Sequence, residues 1–195
     1  MTGNNEIQCI VLSYLVHNCF GETVESFTSC TGLRLPANCL QDMEKRKRIF
    51  RFAIEGKALK AIELTEELTL DLLEKNTDLH FELLSLHYVD LLCCRKCTEA
   101  FEFAQSKLAP FGKDFMALLA YEEPEESPMF HLLSLDHRQH VADSLNRAII
   151  AHANLWSHSA MERLIQQTTV VRQFLNQEQG KEALSSFWLQ DFMKS

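Results

Sequence analysis

The sequence predicts an all-α protein, a set of helical hairpins packed as an elongated antiparallel bundle. Three observations carry that expectation. Apolar residues recur at i, i+3 and i+4 along almost every stretch, and none alternates with the two-residue period of a strand. Only four prolines and six glycines interrupt 195 residues, of which 46% are apolar. That length suits one or two compact domains with a real core. The links between periodic stretches are short, so neighbouring helices should run antiparallel.

Residues 10–32, IVLSYLVHNCFGETVESFTSCTG, read as two short helices. Ile10, Val11, Tyr14 and Leu15 line the first, and Phe20, Val24 and Phe27 line the second after a turn at Gly21. Glu22 and Glu25 sit early in the second helix, where the positive end of the helix dipole favours them. A hairpin of this size is below the roughly 40 residues at which a chain usually needs a metal, disulfides or a partner. Its apolar stripe must therefore meet another surface, most economically a second hairpin in a four-helix bundle.

An irregular connector with Pro36 and Asn38 as helix breakers follows. Residues 43–55 then turn Ile49, Phe50, Ala53 and Ile54 inward, and Gly56 stops that helix in the left-handed position after its end. Residues 58–68 repeat the pattern with Ala58, Ala61, Ile62 and Leu68, and 71–75 form a single turn carrying Leu72 and Leu73. Residues 79–94 present Leu83, Leu84, His87, Tyr88, Leu91 and Leu92, a stripe wide enough for a central helix. Residues 98–108 close the set with Ala100, Phe101, Ala104 and Leu108, before Pro110 and Gly112.

A second block has a helix at 115–121, an acidic loop at 122–127 and a helix start at Ser127-Pro128, with serine as cap and proline at the first position. Asp136-x-x-Gln139 and Ser159-x-x-Glu162 both have capping-box spacing. The helix begun at the first should bury Val141, Leu145, Ala148 and Ile149. The helix begun at the second should bury Leu164, Ile165, Thr168, and Val171 or Phe174. A last helix from about Lys181 offers Leu184, Phe187, Trp188 and Phe192.

Composition excludes several function classes. A net charge of −8 argues against general nucleic-acid binding, which needs a basic face, and against anionic membrane surfaces. No stretch approaches the ~18 apolar residues of a membrane span. The seven cysteines are odd in number and follow no framework spacing. No secretory leader pattern precedes them, so the chain reads as cytoplasmic and nuclear with reduced thiols. Cys93-Cys94-x-x-Cys97 with His87 is half of a zinc site, and buried, inert thiols are the expected reading. His137-x-x-His140 lacks the glutamate and further ligand of a zinc protease and reads as a solvated face. Lys45-Arg46-Lys47-Arg48 with Arg51 reads as the solvent side of a helix, with nuclear import as the competing reading. No phosphate-binding loop, nucleophile elbow or paired-carboxylate constellation asks for catalysis. No cofactor or metal is expected.

The hairpin also resembles the LisH dimerisation motif, with Ile10, Val11, Tyr14, Leu15, Phe20, Thr23, Val24, Phe27 and Gly32 on its positions in register. Cys19 stands where that motif has the glycine ending its first helix, and Gly21 is expected to take over part of the turn. Glu44, Arg46, Ile49, Ile54-x-Gly56, Ala61-Ile62 and Leu72-Leu73-x-x-Asn76 resemble the CTLH segment. The phrases EFAQSKLAPFG at 102–112 and ALLAYEEPEESP at 117–128 resemble the CRA region of Ran-binding protein M. The resemblance to the LisH–CTLH–CRA family covers about residues 7–175. It implies a LisH motif at 7–38, a CTLH region at 42–112 and a CRA region at 113–195 whose last helices pack back on LisH.

The order of segments, with no SPRY domain, RING or armadillo repeats, is similar to that of the small scaffold subunit of the CTLH (glucose-induced-degradation) ubiquitin ligase complex. The resemblance implies a non-catalytic scaffold whose partners are itself, related LisH–CTLH–CRA subunits, and RING-bearing and Ran-binding-protein-M-like ligase subunits, with no nucleic acid and no membrane. It implies a dimer interface built from Ile10, Val11, Tyr14, Leu15, Phe20, Val24, Phe27, Leu164 and Ile165. A free-standing LisH-type dimeric adaptor is the alternative.

Overall fold

A computed structural model describes residues 2–111 and 134–179, and every regular element among them is helical. The protein is all-α. The helices are α1 (Thr2–His17), α2 (Gly21–Thr31), α3 (Cys39–Ile54), α4 (Ala58–Leu68), α5 (Leu72–Lys75), α6 (Thr77–Cys93), α7 (Cys97–Phe103), α8 (Leu135–His152) and α9 (Ala160–Gln179). The helix expected at 115–121, the Ser127-Pro128 start and the helix from Lys181 lie outside the described residues. The chain divides into two compact units. One holds α1, α2, the first residues of α3 and α9, and the other runs Glu44–Ser157.

In the second unit α6 is the central helix, packed against α4, α5, α7 and α8. Its sequence suggested one stripe, but burial extends around it, with Leu79, Phe81, Leu86 and Val89 joining Leu83, Leu84, Tyr88, Leu91 and Leu92 in the core. A helix apolar on all sides is one surrounded by others. Polar atoms inside this core are satisfied locally: Thr65 Oγ1 donates to the Ala61 carbonyl at 2.6 Å and Ser85 Oγ to the Phe81 carbonyl at 2.7 Å. Burial pushes the Tyr88 phenol up to about 12.

After α7 the chain runs through a π-helical segment, Ala104–Leu108, and a 3₁₀ turn, Ala109–Phe111. The backbone N–H of Ala109 bonds the carbonyl of Ala104, the wider loop that defines such a bulge. Ala100, Ala104 and Leu108 face the core. Phe101, expected inward, is exposed. Phe103 instead packs on the core, edge-on to His87 with ring centroids 4.8 Å apart.

Four of the described helices end in the same backbone motif, in which the N–H groups of two successive residues return to carbonyls of the last turn around a left-handed residue. The left-handed residues are Cys19 (φ 58°), Gly56 (φ 78°), Arg95 (φ 56°) and Asn154 (φ 56°). After α1, Cys19 N–H reaches Val16 O at 3.3 Å and Phe20 N–H reaches Leu15 O at 3.0 Å. After α6 the pairs are Arg95 to Leu92 and Lys96 to Leu91, both 2.9 Å. Gly21, expected to share the α1–α2 turn, is instead the first residue of α2. Cys19 takes the left-handed position itself despite its side chain.

Helix starts also differ from the pattern. The N-cap of α8 is Ser134, whose Oγ accepts from the His137 N–H at 3.1 Å, two residues before the Asp136 box. Val141, Leu145 and Ile149 are buried as the periodicity requires, with Ala142 and Ile150 added. At α9 the capping box is reciprocal: Glu162 N–H donates to Ser159 Oγ at 3.2 Å, and Ser159 N–H donates to Glu162 Oε2 at 2.7 Å.

Candidate interaction surface

The first unit is assembled from two distant stretches of chain. Val24, fully buried, packs with Cys19 and Met43, and Leu12, Leu15, Val16, Leu35 and Cys39 close around them. The left-handed turn at Cys19 brings Phe20 beside Tyr14, their ring centroids 6.3 Å apart and tilted by 51°. Gly32 (φ 74°) ends α2 by donating its N–H to Thr28 O at 2.9 Å. The first turn of α9 lies against α1. Ala160 N–H donates to Ser13 Oγ at 3.1 Å, and Glu162 Oε2 stands 3.8 Å from Nε2 of the buried His17.

The nine residues singled out in the sequence fall into two groups. Leu15 and Val24 serve the protomer's own core. Ile10, Val11, Tyr14, Phe27 and Ile165 are half-buried, while Phe20 and Leu164 are exposed by 46% and 45%. Along α9 the expected apolar face is split. Beyond its first turn, Ile165, Thr169 and Arg172, spaced i, i+4, i+7, are the half-buried ones. Leu164, Val171 and Leu175, spaced i, i+7, i+11, form an adjacent stripe left exposed, flanked by Val170 and Phe174. Thr168 is exposed too, so among the described residues the expected burial of Leu164, Thr168, and Val171 or Phe174 does not occur. The periodicity showed that α9 has an apolar side, but it could not say which part of that side α1 covers. Ile7 (61% exposed), Val170 and Leu175 are further members that were not singled out. Open apolar side chains on two packed helices make these elements a candidate interaction surface.

The other candidate constellations resolve differently. The thiols of Cys93, Cys94 and Cys97 are exposed, not buried. Arg95, the left-handed residue of the α6–α7 turn, is exposed along with them. Burial lowers the pKa of His87 below the usual imidazole value, with smaller opposing effects from Asp90 and Glu99. Among the described residues, no three His, Cys, Asp or Glu side chains are placed to hold a metal ion. The basic run of α3 is not uniformly solvated. Arg46 is buried, and its Nη1 donates to Asn146 Oδ1 of α8 at 2.8 Å. Lys45, Lys47, Arg48 and Arg51 are exposed. Among the described residues no helix is long and apolar enough to cross a membrane.

The family model described as the CTLH/CRA C-terminal to LisH motif domain matches residues 42–176. The chain is 32% identical over 155 residues to the glucose-induced degradation protein 8 homolog of Nematostella vectensis, a match covering 74% of this chain and 68% of that protein. It is 29% identical over 155 residues to the protein GID8 homolog of Arabidopsis thaliana, covering 74% and 63%. It is 27% identical over 207 residues to the Ran-binding protein M homolog of the same plant, covering 88% of this chain but 44% of that protein.

Proposed function

This chain belongs to the CTLH/CRA family, and on that premise we propose that it is a non-catalytic scaffold subunit of a multi-subunit ubiquitin ligase of the CTLH type. The observation that carries the reading is the open apolar surface of the first unit. There α1 and α9 are tied by the Ser13–Ala160 hydrogen bond while Leu164, Val171 and Leu175 remain exposed. Burying such a surface is favourable by about 25 cal/mol per Å² of apolar area, so a second LisH-like hairpin and its α9 are the natural cover. In this reading Ile10, Val11, Tyr14, Phe20, Phe27, Leu164 and Ile165 meet the partner, and Leu15 and Val24 hold the hairpin that presents them. Similarity to a glucose-induced degradation protein 8 homolog and to a Ran-binding protein M homolog supports a ligase-complex setting. The partners proposed are this chain itself, Ran-binding-protein-M-like subunits and RING-bearing subunits, in the cytoplasm and the nucleus.

Affinity purification of the full chain from cells tests this reading. Recovery of RING-bearing and Ran-binding-protein-M-like subunits is expected, as is the absence of ubiquitin chains when the purified chain alone meets activating and conjugating enzymes. Self-association without any ligase subunit would favour the free-standing dimeric adaptor. Chain building by the isolated protein would overturn the scaffold reading.

A further inference from the structure

Between Glu44 and Lys60, seven lysines and arginines face two glutamates, a net charge of +5 within a chain whose total is −8. The rest of the molecule therefore carries −13, and positive charge is concentrated on α3 and the start of α4. Arg46 is taken up inside, on Asn146. The other six are exposed.

These charges border a groove of about 300 Å³ between α3 and α4, lined by Lys45, Arg48, Ile49, Leu64, Glu67 and Leu68. Helical spacing explains it: Lys45, Arg48, Ile49 and Phe52 share one stripe of α3, and Lys60, Leu64 and Leu68 share the facing stripe of α4. Ile49, Leu64 and Leu68 supply an apolar floor, with Ile49 buried and the two leucines half-covered. Farther along, the Phe52 ring has Arg51, Lys57 and Lys60 within 5.7–5.9 Å of its centroid. A cation over an aromatic face is held in place there. Glu55 pairs with Lys57 at 2.8 Å and approaches Arg51 at 3.5 Å, so these three cations and one carboxylate leave this end of the groove positive but partly neutralised.

We propose that the α3–α4 groove docks an acidic amphipathic peptide segment of a partner protein. One or two apolar side chains of the segment rest on Ile49, Leu64 and Leu68, and its carboxylates meet Lys45 and Arg48 and, beyond them, the cations around Phe52. An acidic peptide fits better than a nucleic acid or an anionic membrane. The floor is apolar, Glu67 on the rim repels a continuous polyanion, and the rest of the molecule is strongly negative. The surface lies on a different unit from the α1–α9 surface, so this docking stands or falls independently of self-association.

The test is fluorescence anisotropy of a labelled dodecapeptide, aspartate and glutamate around a central Leu-Phe pair, titrated with the full chain. Binding that tightens as salt is lowered is expected. Lys45→Glu with Arg48→Glu should weaken it by about tenfold or more, about 1.4 kcal/mol. Lys75→Glu with Lys107→Glu, the same charge change elsewhere, should alter it less than about twofold. Circular dichroism of each variant confirms that these surface changes leave the helices intact. Three results would overturn the proposal: equal binding of a peptide with serines replacing the Leu-Phe pair, equal loss in both charge-reversal variants, or tighter binding of heparin fragments or phosphatidylserine vesicles than of the peptide.

Discussion

The hydroxyl of Ser13 accepts a hydrogen bond at 3.1 Å from the backbone N–H of Ala160, 147 residues away along the chain. A helix begins with backbone donors that lack an intrahelical partner. In α9, Ser159 and Glu162 satisfy two of these reciprocally, and α1 satisfies a third. The start of α9 is thus partly made by α1. Closing so long a loop adds little entropy cost, because that cost grows only with the logarithm of length.

Ser13→Ala should cost about 1 kcal/mol, within the range of lost helix caps. Glu162→Ala should cost more, since it removes the capping box and the approach to His17 together. Both act on one turn, so urea unfolding of the two single variants and the double variant should show non-additive losses. Strict additivity would mean that the contacts act separately.

Self-association should be sensitive at the open stripe of α9 and insensitive inside the protomer. Val171→Asp places a charge on a surface expected to be covered by a partner, so it should weaken association by at least about 2 kcal/mol, some thirtyfold. The monomer's melting temperature should barely move, because Val171 is 56% exposed. Phe27→Ala and deletion from Ser159 onward should weaken association comparably. Analytical ultracentrifugation at tens of micromolar reads all three. A monomeric wild-type chain would remove the basis of the expectation.

The left-handed helix ends predict opposite effects for the same kind of substitution. Arg95 is exposed and pays a steric penalty at φ 56°, so Arg95→Gly should stabilise by up to about 1 kcal/mol. Cys19→Gly relieves the same backbone penalty but removes a side chain that is 6% exposed in the core with Val24. It should gain nothing and is expected to lose stability. Gly56→Ala should destabilise by about 1–3 kcal/mol, because its added carbon would need φ 78° and would sit 2.8 Å from Arg138 Nη1. Thermal unfolding of the three variants gives the order directly.

Acid should destabilise the second unit through His80 and His87. Burial lowers both imidazoles from the ordinary value of 6.5. Just below about pH 6.5 the unfolded chain therefore binds more protons than the folded one, and stability rises with pH in that window. Lowering the pH from about 7 to about 5 should reduce the urea midpoint. His87→Gln should make that slope shallower, even though losing the edge contact with Phe103 lowers stability at neutral pH. An unchanged slope would show that other groups govern the acid limb.

Features held by a few consecutive residues were legible from sequence. The bounds of α4, the left-handed Gly56, the reciprocal box of Ser159 and Glu162 and the all-helical class each depend on contacts within one or two turns, so the residues that make them stand close together in the text. The left-handed Cys19 and Arg95 were not legible, because neither is a residue that prefers that conformation. Two returning hydrogen bonds hold the helix end at both, and at Cys19 the packing of its buried side chain adds to them.

Of the interaction surface, the sequence alone determined that residues 10–32 and the helix after Ser159 each carry an apolar side. A helical period reports how wide such a side is, and it carries no information about which neighbour covers which part of it. Tertiary structure decided that Ile165 turns toward cover while Leu164, Val171 and Leu175 stay open, that Leu15 and Val24 belong to the protomer, and that Arg46 leaves the basic face for Asn146. Each of these depends on residues a hundred or more positions away or on a packed core, where burial and hydrogen bonding are settled by three-dimensional proximity and by nothing local to the chain.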